Sequence, residues 1–241
     1  MAQRNYALIN ELKPIQQVDS NKDLRLKVRI SRLCKVHNRI TDKKKEVATD
    51  QTTKGDLLCV SMVLLDEEGN YIYAFIPSFN WERFSAKVFD GKIHLIKRFQ
   101  VLPNKPDYRI VGDNKLMIKF LYSTYIKVFE ADEAIIPKHR FDFLKFHNIS
   151  NRRGNHSVLT DLIGVVKKEH VKPNYFALEI EDEGGERVRV TLWDQCRSDY
   201  QKQKEKLTDG TQTKVVIITS LLVKDYNGKY NPAQSNTIIQ Y

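Results

Sequence analysis

Apolar residues recur at every second position through most of this chain. Between Leu24 and Ile30 the apolar residues alternate with arginine and lysine, which is typical of a strand with one buried face and one face in solvent. The same alternation recurs in four further segments, at 60–64, 72–76, 176–180 and 188–192. Helical periodicity is confined to 82–89 and 195–207. The pattern therefore predicts an all-β protein with two short helices.

Two predicted strands and the turn between them recur in the second half of the chain at an offset of 116 residues. Val60 then corresponds to Phe176, and the turn glycine Gly69 corresponds to Gly185. The strands after the two helical segments also correspond, with Ile93, Leu95, Phe99 and Val101 matching Val215, Ile217, Leu221 and Val223. A register kept through strands and turn predicts an internal duplication.

Each copy is predicted to contain five short strands with one helix between the third and fourth. That order is the plan of the OB-fold, a small Greek-key barrel. We predict two tandem OB-fold domains at 1–135 and 136–241, with a linker at about 131–155. The length of 241 residues suits two small domains of this size.

Charge is distributed unevenly between the copies. The chain has 40 Lys+Arg against 30 Asp+Glu, a net charge of +10. Residues 1–130 hold 23 basic and 15 acidic side chains, a net charge of +8. A basic excess in one half favours a surface that faces a polyanion. A solvated basic face without any partner is the alternative.

Several classes of protein are not expected. The longest uncharged stretch, 69–81, contains Pro77 and is too short to span a bilayer, so we expect no membrane association. The N-terminus lacks an apolar segment for secretion, and three scattered cysteines suit a reducing compartment. Cys34 and His37 supply only two ligands, so we expect no metal site and no cofactor.

The sequence gives little support to an enzyme. Its two acidic clusters, 66–68 and 181–183, lie in the predicted hairpin turns, where carboxylates and glycine serve turn formation. A nuclease could use such carboxylates to bind Mg²⁺, but their equivalent positions in both copies favour the structural role. No phosphate-binding glycine loop, nucleophile elbow or deaminase signature occurs.

Strand alternation predicts which side chains face outward. In the second copy Arg187, Arg189 and Trp193 share the outer face, where an indole can stack on bases while guanidinium groups meet phosphates. The alternative is that Trp193 packs under the neighbouring helix. In the first copy the outward set is aromatic and consists of Tyr71, Tyr73 and Phe75.

Basic and aromatic residues also mix in the predicted loops. The long connection 38–55 of the first copy carries Lys43, Lys44 and Lys45, and in OB-folds this loop and the one between the last two strands close over the ligand. The remaining candidate nucleic-acid contacts lie in or beside the loop between the last two strands of each copy. They are Arg98, Lys105, Tyr108 and Arg109 in the first copy, and Lys224 and Tyr226 in the second.

These segments resemble the tandem central OB domains of the replication protein A large subunit, in particular its plant-type relatives. The second copy carries the resemblance at 141–143 (FDF), 158–165 (VLTDLIGV), 190–193 (VTLW), 224–228 (KDYNG) and 236–239 (NTII). The first copy carries it at 103–108 (PNKPDY) and 120–124 (FLYST). The likeness runs from about Leu24 to the C-terminus.

The resemblance implies stacking roles for Trp193 and Tyr226 in the second copy and for Tyr108 in the first. The first copy departs from the family at Pro77, which corresponds to Trp193 in the repeat register and is not aromatic. Phe75, on the same strand, could substitute. The family's large subunit continues to a zinc-bearing third OB domain and a trimerising helix, neither of which is visible in this sequence.

We therefore expect a nuclear protein that binds single-stranded DNA through two OB grooves with little sequence preference. Its function would support DNA replication, repair or recombination, with other replication or repair proteins as further partners. Two alternatives stay open. One is an OB-fold adaptor that binds an acidic partner peptide, and the other is a relative that binds RNA.

Overall fold

The chain forms two compact units in the computed structural model. The structure describes residues 5–14, 24–37, 56–110, 112, 114–130, 135–173, 175–206, 214–226, 229–234 and 239–240. One unit comprises Met1–Asn104 and Asn114–Arg140, and the other comprises Lys105–Asp113 and Phe141–Tyr241. The units therefore divide five residues later than the sequence suggested, and a short segment between two strands of the first unit belongs to the second.

The first unit is a closed, strongly curved sheet. Its elements are a 3₁₀ helix (Ile9–Glu11), β1 (Arg25–His37), β2 (Leu57–Leu65), β3 (Tyr71–Pro77), α1 (Ser78–Ser85), β4 (Ile93–Lys97), β5 (Gln100–Pro103), β6 (Leu116–Lys119) and β7 (Tyr125–Phe129). The strand order is β5-β6-β3-β2-β1-β4-β7. Because β4 and β5 are two halves of one strand interrupted at Arg98, the sheet closes on itself as an OB barrel.

The second unit repeats this plan. Its elements are a 3₁₀ helix (Phe146–Arg152), β8 (Thr160–Val171), β9 (Tyr175–Glu181), β10 (Arg187–Trp193), α2 (Asp194–Lys206), β11 (Val215–Tyr226), β12 (Lys229–Gln234) and β13 (Ile239–Gln240). The order is β12-β10-β9-β8-β11-β13, and β12 also pairs with β11. That extra pairing closes the second barrel, and the prediction of two tandem OB folds is confirmed.

Both barrels use the same device at the turn between their second and third strands. Oδ1 of Asp66 accepts hydrogen bonds from the amides two and four residues further on, and Oδ1 of Asp182 does the same. Oδ2 of each aspartate accepts the amide of a residue in the lead-in segment, Ile9 at 2.8 Å and Phe146 at 3.1 Å. Each turn aspartate therefore stabilises its own turn and connects it to the lead-in segment of the same unit.

The backbone irregularities also repeat. The first strand of each barrel has a register shift at the same place, between Ile30 and Arg32 in β1 and between Val166 and Lys168 in β8. The fourth strand bends at a left-handed residue, Arg98 (φ 57°) in one unit and Ser220 (φ 60°) in the other. Bulges at fixed positions bend a strand toward barrel closure, so the duplication extends to the features that curve the sheet.

The alternating apolar residues fill the two barrels. In the first unit the inward positions of β1, β2 and β3 are almost completely buried: Leu26, Val28, Ile30, Val60, Met62, Leu64, Ile72, Ala74 and Ile76. In the second unit the core gathers Leu162, Leu178, Ile180, Val190, Leu192, Val216 and Ile218. The period-two pattern thus identified the core strands correctly.

The first helix is where the prediction was wrong. It spans Ser78–Ser85 instead of 82–89, and it begins directly after Pro77. Phe84 and Val88 are both buried at helical spacing, which extended the predicted helix past its real end. The second helix, Asp194–Lys206, lies within one residue of the predicted bounds. Among the described residues, no helix is long and apolar enough to cross a membrane.

Candidate nucleic-acid interface

The outer face of the first barrel is covered near the turn between β2 and β3. Arg29, Leu65 and Tyr71 form one row across β1, β2 and β3 on that face. The segment 136–140 of the same unit lies against this row, because the guanidinium of Arg29 donates to the carbonyl of Ile136 at 2.9 Å. The guanidinium of Arg140 lies 4.2 Å from the ring centroid of Tyr71. The sequence expected this face to be open.

Tyr73, predicted to bind nucleic acid, is buried with 6% of its surface exposed. Its neighbour in the row is Val63, which is also buried, and its ring stacks on Phe75 with centroids 6.1 Å apart. Burial raises the pKa of the Tyr73 hydroxyl, and the nearby thiols of Cys59 and Cys34 raise it further. The prediction of Tyr73 as a surface contact is corrected, because little of its ring is left for a base.

The other end of the same face, where β3 leads into α1, stays accessible. Phe75 is half-buried and lies in a row with Ser61 on β2 and Lys119 on β6. Phe79, at the second position of α1, is 80% exposed. Sequence reasoning missed Phe79 because the predicted helix began too late, although a phenylalanine two residues after the Pro77 position was a usable signal.

A second aromatic and cationic contact lies near the same helix. The guanidinium of Arg83 stacks 4.5 Å from the ring centroid of Tyr122, which is 71% exposed. Phe79 and Arg83 are four residues apart, so they share one face of α1. The first unit therefore exposes aromatic rings beside cations close to the end of β3.

Trp193 is an exposed aromatic residue of the second barrel. It is the last residue of β10, it faces away from the core, and 42% of its surface is exposed. Its partner across the sheet is Tyr175 on β9, and the two ring centroids are 4.8 Å apart. The sequence proposed Trp193 but missed Tyr175, which the pairing register brings beside it. The two rings are inclined by 43° to each other and together form an aromatic surface at the end of the strands.

Between Trp193 and the turn that joins β9 to β10, the outer face of the second barrel carries oppositely charged side chains in pairs. Arg187 donates to Glu181 at 2.7 Å, and Lys167 lies 2.8 Å from the same carboxylate. These two hydrogen bonds hold the pKa of Glu181 below its usual range. One row further up, Glu179 interacts with Lys168 at 3.7 Å and with His170 at 3.3 Å.

The two predicted arginines of this strand thus lie among carboxylates. Arg189 stands directly opposite Glu179 in the register, and Arg187 stands opposite Glu181. Both arginines are exposed. Their charge is offset locally, so the outer face of the second unit is less cationic than the sequence suggested.

The predicted loop of the first copy lies in the second unit. The amide of Tyr108 donates to the carbonyl of His156 at 2.6 Å, and the amide of Arg109 donates to the carbonyl of Ser157 at 3.0 Å. The rings of Tyr108 and His156 stack with centroids 5.8 Å apart and 10° between their planes. Lys105 opens this segment and is half-buried.

The other predicted contacts are scattered. Arg98 is exposed at the break between β4 and β5, and Lys224 is exposed on β11. Tyr226 ends β11, and its side chain lies outside the described residues, as do Lys43, Lys44 and Lys45. Within the described ranges no group of three or more histidine, cysteine or acidic residues could hold a metal ion.

Fold and surface together define a tandem OB-fold protein with exposed aromatic platforms on its barrels. The chain is similar to replication protein A large subunits. It is 26% identical over 196 residues to a replication protein A 70 kDa DNA-binding subunit of Arabidopsis thaliana, covering 77% of this chain and 30% of that protein. Replication factor A protein 1 of Saccharomyces cerevisiae is 23% identical, with 77% and 30% covered. The chain thus spans less than a third of these relatives.

A family model and a solved structure also match the chain. A family model described as "Domain of unknown function DUF223" matches residues 47–152. A solved structure described as "Structure and Conformational Change of a Replication Protein A Heterotrimer Bound to ssDNA" superposes with a TM-score of 0.62 at 19% identity, covering 98% of this chain and 52% of that chain. At this identity the superposition establishes the fold, which agrees with the OB architecture described above.

Proposed function

We propose that this protein binds single-stranded DNA through both OB barrels with little sequence preference, in support of DNA replication, repair or recombination. The observation that carries the proposal is the exposed Trp193, whose ring lies against the half-buried Tyr175 at the strand ends of an OB barrel. Base–aromatic stacking tolerates every base, because each base has a π face. The similar plant proteins are named DNA-binding subunits, and the superposed heterotrimer is bound to single-stranded DNA.

The first barrel offers a matching but differently built surface. Phe75 and the strongly exposed Phe79 are available for stacking, with Lys119 beside Phe75 for a phosphate. The two sites belong to one chain, so the second binds a strand already held by the first at a high effective concentration. A strand long enough for both should therefore bind more tightly than a short one.

Binding without catalysis is part of the proposal. The turn aspartates, Asp66 and Asp182, already accept several backbone hydrogen bonds each, which favours a structural role over metal-assisted hydrolysis. The superposed protein is a heterotrimer, so we propose other replication proteins as further partners. A nuclear location follows from the same proposed role.

The test is a titration of labelled oligonucleotides with the full chain and with Trp193→Ala. We expect the substitution to weaken single-strand binding by about 1–3 kcal/mol while the protein stays folded, because Trp193 is exposed. Tyr125→Ala is the matched control, since Tyr125 is 48% exposed on the edge strand β7 of the first barrel. A thermal melt checks the fold of both variants.

Three ligand arms separate the proposal from its competitors. Single-stranded DNA of increasing length should bind in steps as it exceeds one OB footprint of roughly 4–16 nucleotides. RNA of the same sequence tests the RNA-binding alternative, and an acidic peptide tests the adaptor alternative. The proposal would be contradicted if folded Trp193→Ala bound DNA as tightly as the parent chain and if the protein bound the acidic peptide equally well with and without DNA.

A further inference from the structure

One side of the first barrel carries lysine and arginine side chains in a regular array. It is formed by the first half of β1 with β4 and β7, and strand pairing aligns their outward side chains in three rows without an acidic residue. The rows are Arg25, Lys97 and Tyr125; then Lys27, Leu95 and Lys127; then Arg29, Ile93 and Phe129. We call the four cations of the first two rows, Arg25, Lys27, Lys97 and Lys127, the basic patch. The strands β2 and β3, which carry Phe75, take no part in it.

The charge of the basic patch is not offset by carboxylates. Among the described residues Arg25, Lys97 and Lys127 form no ion pair. Lys127 is exposed, and the other three cations are half-buried, which for a long side chain leaves the charged end in water. On the second barrel, by contrast, the strand cations lie against Glu179 and Glu181.

The aromatic rings of this side are occupied by the lysines. Lys27 and Lys127 lie 5.3 and 5.9 Å from the ring centroid of Phe129, and Lys97 lies 5.6 Å from that of Tyr125. Cation–π contacts of this kind position the ammonium groups at the surface. The rings therefore hold cations in place, and the patch presents groups that contact phosphates and do not read bases.

The covering segment 136–140 extends the positive charge beyond the third row. Lys138 and His139 are exposed there, next to the buried Arg29. Burial lowers the pKa of His139, and the charges of Arg29, Lys138 and Arg32 lower it further. The neighbouring cations thus act on this histidine without a compensating carboxylate among the causes of its shift.

The second barrel shows that the fold does not require these cations. Val165 pairs with Glu181 and Val215 as Arg29 pairs with Leu65 and Ile93, so the two strands share one register. In that register Ile163 occupies the position of Lys27, and the buried Asp161 occupies the position of Arg25. Because one barrel closes without the basic patch, its presence on the other favours a role in binding.

The shape of the patch favours duplex DNA as its ligand. Neighbouring strands lie about 5 Å apart and alternate residues rise about 7 Å, so the four cations spread over about 10 by 7 Å. A duplex presents phosphates of both its strands, with one charge per ~1.7 Å of its axis, and can meet such a broad patch. A single strand presents one line of phosphates and is bound in grooves with free stacking rings, which this side lacks.

We propose that Arg25, Lys27, Lys97 and Lys127 form a second DNA-binding surface, which binds the phosphate backbone of a duplex without reading its sequence. A duplex that adjoins a single strand held in the grooves is its natural ligand, because the tethered duplex reaches the patch at high effective concentration. The inference goes beyond the proposed function, since it concerns another face of the first barrel and another form of DNA.

The experiment compares three DNA ligands on the full chain: a single strand that fills both grooves, a blunt duplex, and the same single strand joined to that duplex. Lys97→Gln with Lys127→Gln should weaken binding of the blunt duplex and of the joined ligand roughly 5-fold or more at low salt. The slope of log affinity against log salt should fall by up to about two for these ligands. The single strand alone should keep its affinity.

Two further variants separate the patch from net charge and from altered folding. Lys13→Gln with Lys87→Gln removes the same charge from exposed positions of the first unit that lie outside β1, β4 and β7, and it should leave duplex binding close to that of the parent chain. Lys97→Arg with Lys127→Arg should retain duplex binding, because the charges are kept. A thermal melt checks the fold of each variant.

Several outcomes would overturn the inference. An equal loss for the single strand and the joined ligand would place the lysines in single-strand binding, and an equal loss in the Lys13 and Lys87 variant would mean that net charge alone acts. A loss confined to an acidic peptide would make the patch a protein-binding surface. If Trp193→Ala leaves single-strand affinity unchanged while the Lys97 and Lys127 variant loses the duplex, the proposed function fails and this inference stands. The reverse result would leave single-strand binding intact and remove the second surface.

Discussion

The two barrels share one strand register, but their outer faces differ in character. The row of Arg29, Leu65 and Tyr71 in the first unit corresponds to the row of Val165, Glu181 and Arg187 in the second. In the first unit this row is covered by the segment 136–140 of the same unit. In the second unit it carries ion pairs, and Arg187 and Lys167 remain partly exposed.

The comparison shows how one fold accommodates two kinds of surface. A covered row can be aromatic and apolar, provided that a buried polar group such as Arg29 finds acceptors in the covering segment. An open row needs polar side chains, and carboxylates placed opposite cations make it nearly neutral. In each barrel an exposed aromatic residue lies at the opposite end of the strands from this row, Phe79 in the first and Trp193 in the second.

The largest expected effect comes from uncovering the first barrel. Arg29 is 2% exposed and donates to the carbonyls of Ile136 and Gly91. Arg29→Met should lower the free energy of unfolding of the first unit by about 3–5 kcal/mol, because it leaves buried carbonyls without a donor. Urea unfolding followed by Trp81 fluorescence in a Trp193→Phe background reports on this unit alone, since the chain has two tryptophans.

The equivalent change in the second unit is the control. Val165 occupies the Arg29 position and is only half-buried. Val165→Met should change stability by about 0.5 kcal/mol or less, followed by Trp193 in a Trp81→Phe background. Equal losses for the two substitutions would show that the cover contributes nothing particular to the first barrel.

A second difference lies inside the barrels. His94 is fully buried in the first unit, where the repeat places Val216 in the second. Burial lowers the pKa of His94 to about 4, although hydrogen bonds to the carbonyls of Lys92 and Lys87 partly offset this shift. An unfolded histidine binds a proton near pH 6.5. The unfolded state therefore takes up protons first, and the stability of the first unit should fall by about 3 kcal/mol as the pH drops from 6.5 to 4.

His94→Val separates this contribution from the titration of carboxylates. The stability difference between the variant and the parent chain, measured with Trp81 as reporter, should change by about that amount across the same pH interval. The second unit, followed by Trp193, should respond equally in both proteins. A pH-independent difference between variant and parent would show that His94 titrates normally.

The smallest expected effect concerns the charged face of the second barrel. Glu179→Gln with Glu181→Gln should release the neighbouring cations for phosphate contacts, so single-strand affinity should rise a few-fold at low salt. The slope of log affinity against log salt should steepen by up to about two. The measurement is a fluorescence-anisotropy titration at several salt concentrations.

Glu183→Gln with Glu186→Gln provides the matched control. These residues lie in the turn at the end of the same hairpin, so the substitution changes net charge equally without releasing the cations of the strand face. An equal gain in both double variants would mean that net charge alone attracts the strand.

Much of the architecture could be predicted from local signals. Period-two alternation, the acidic turns at Asp66 and Asp182 and the repeated strand pattern of the two copies were enough to predict two OB barrels. The outward direction of Trp193 followed from the same alternation. Phe79 was missed because the helix begins directly after Pro77, earlier than its apolar periodicity indicates. Tyr175 was missed because its nearness to Trp193 depends on strand pairing.

What the sequence determined by itself is the direction in which each strand residue points relative to its own barrel. Only the tertiary structure decided what lies on the outer side. Arg29 meets Ile136 across 107 positions of chain, and Tyr108 meets His156 across 48. Alternation is a local property of the pleated backbone, whereas the covering of a face depends on contacts between distant segments. For that reason Tyr73 is buried and Tyr108 belongs to the second unit, although both follow the pattern expected of surface aromatic residues of the first.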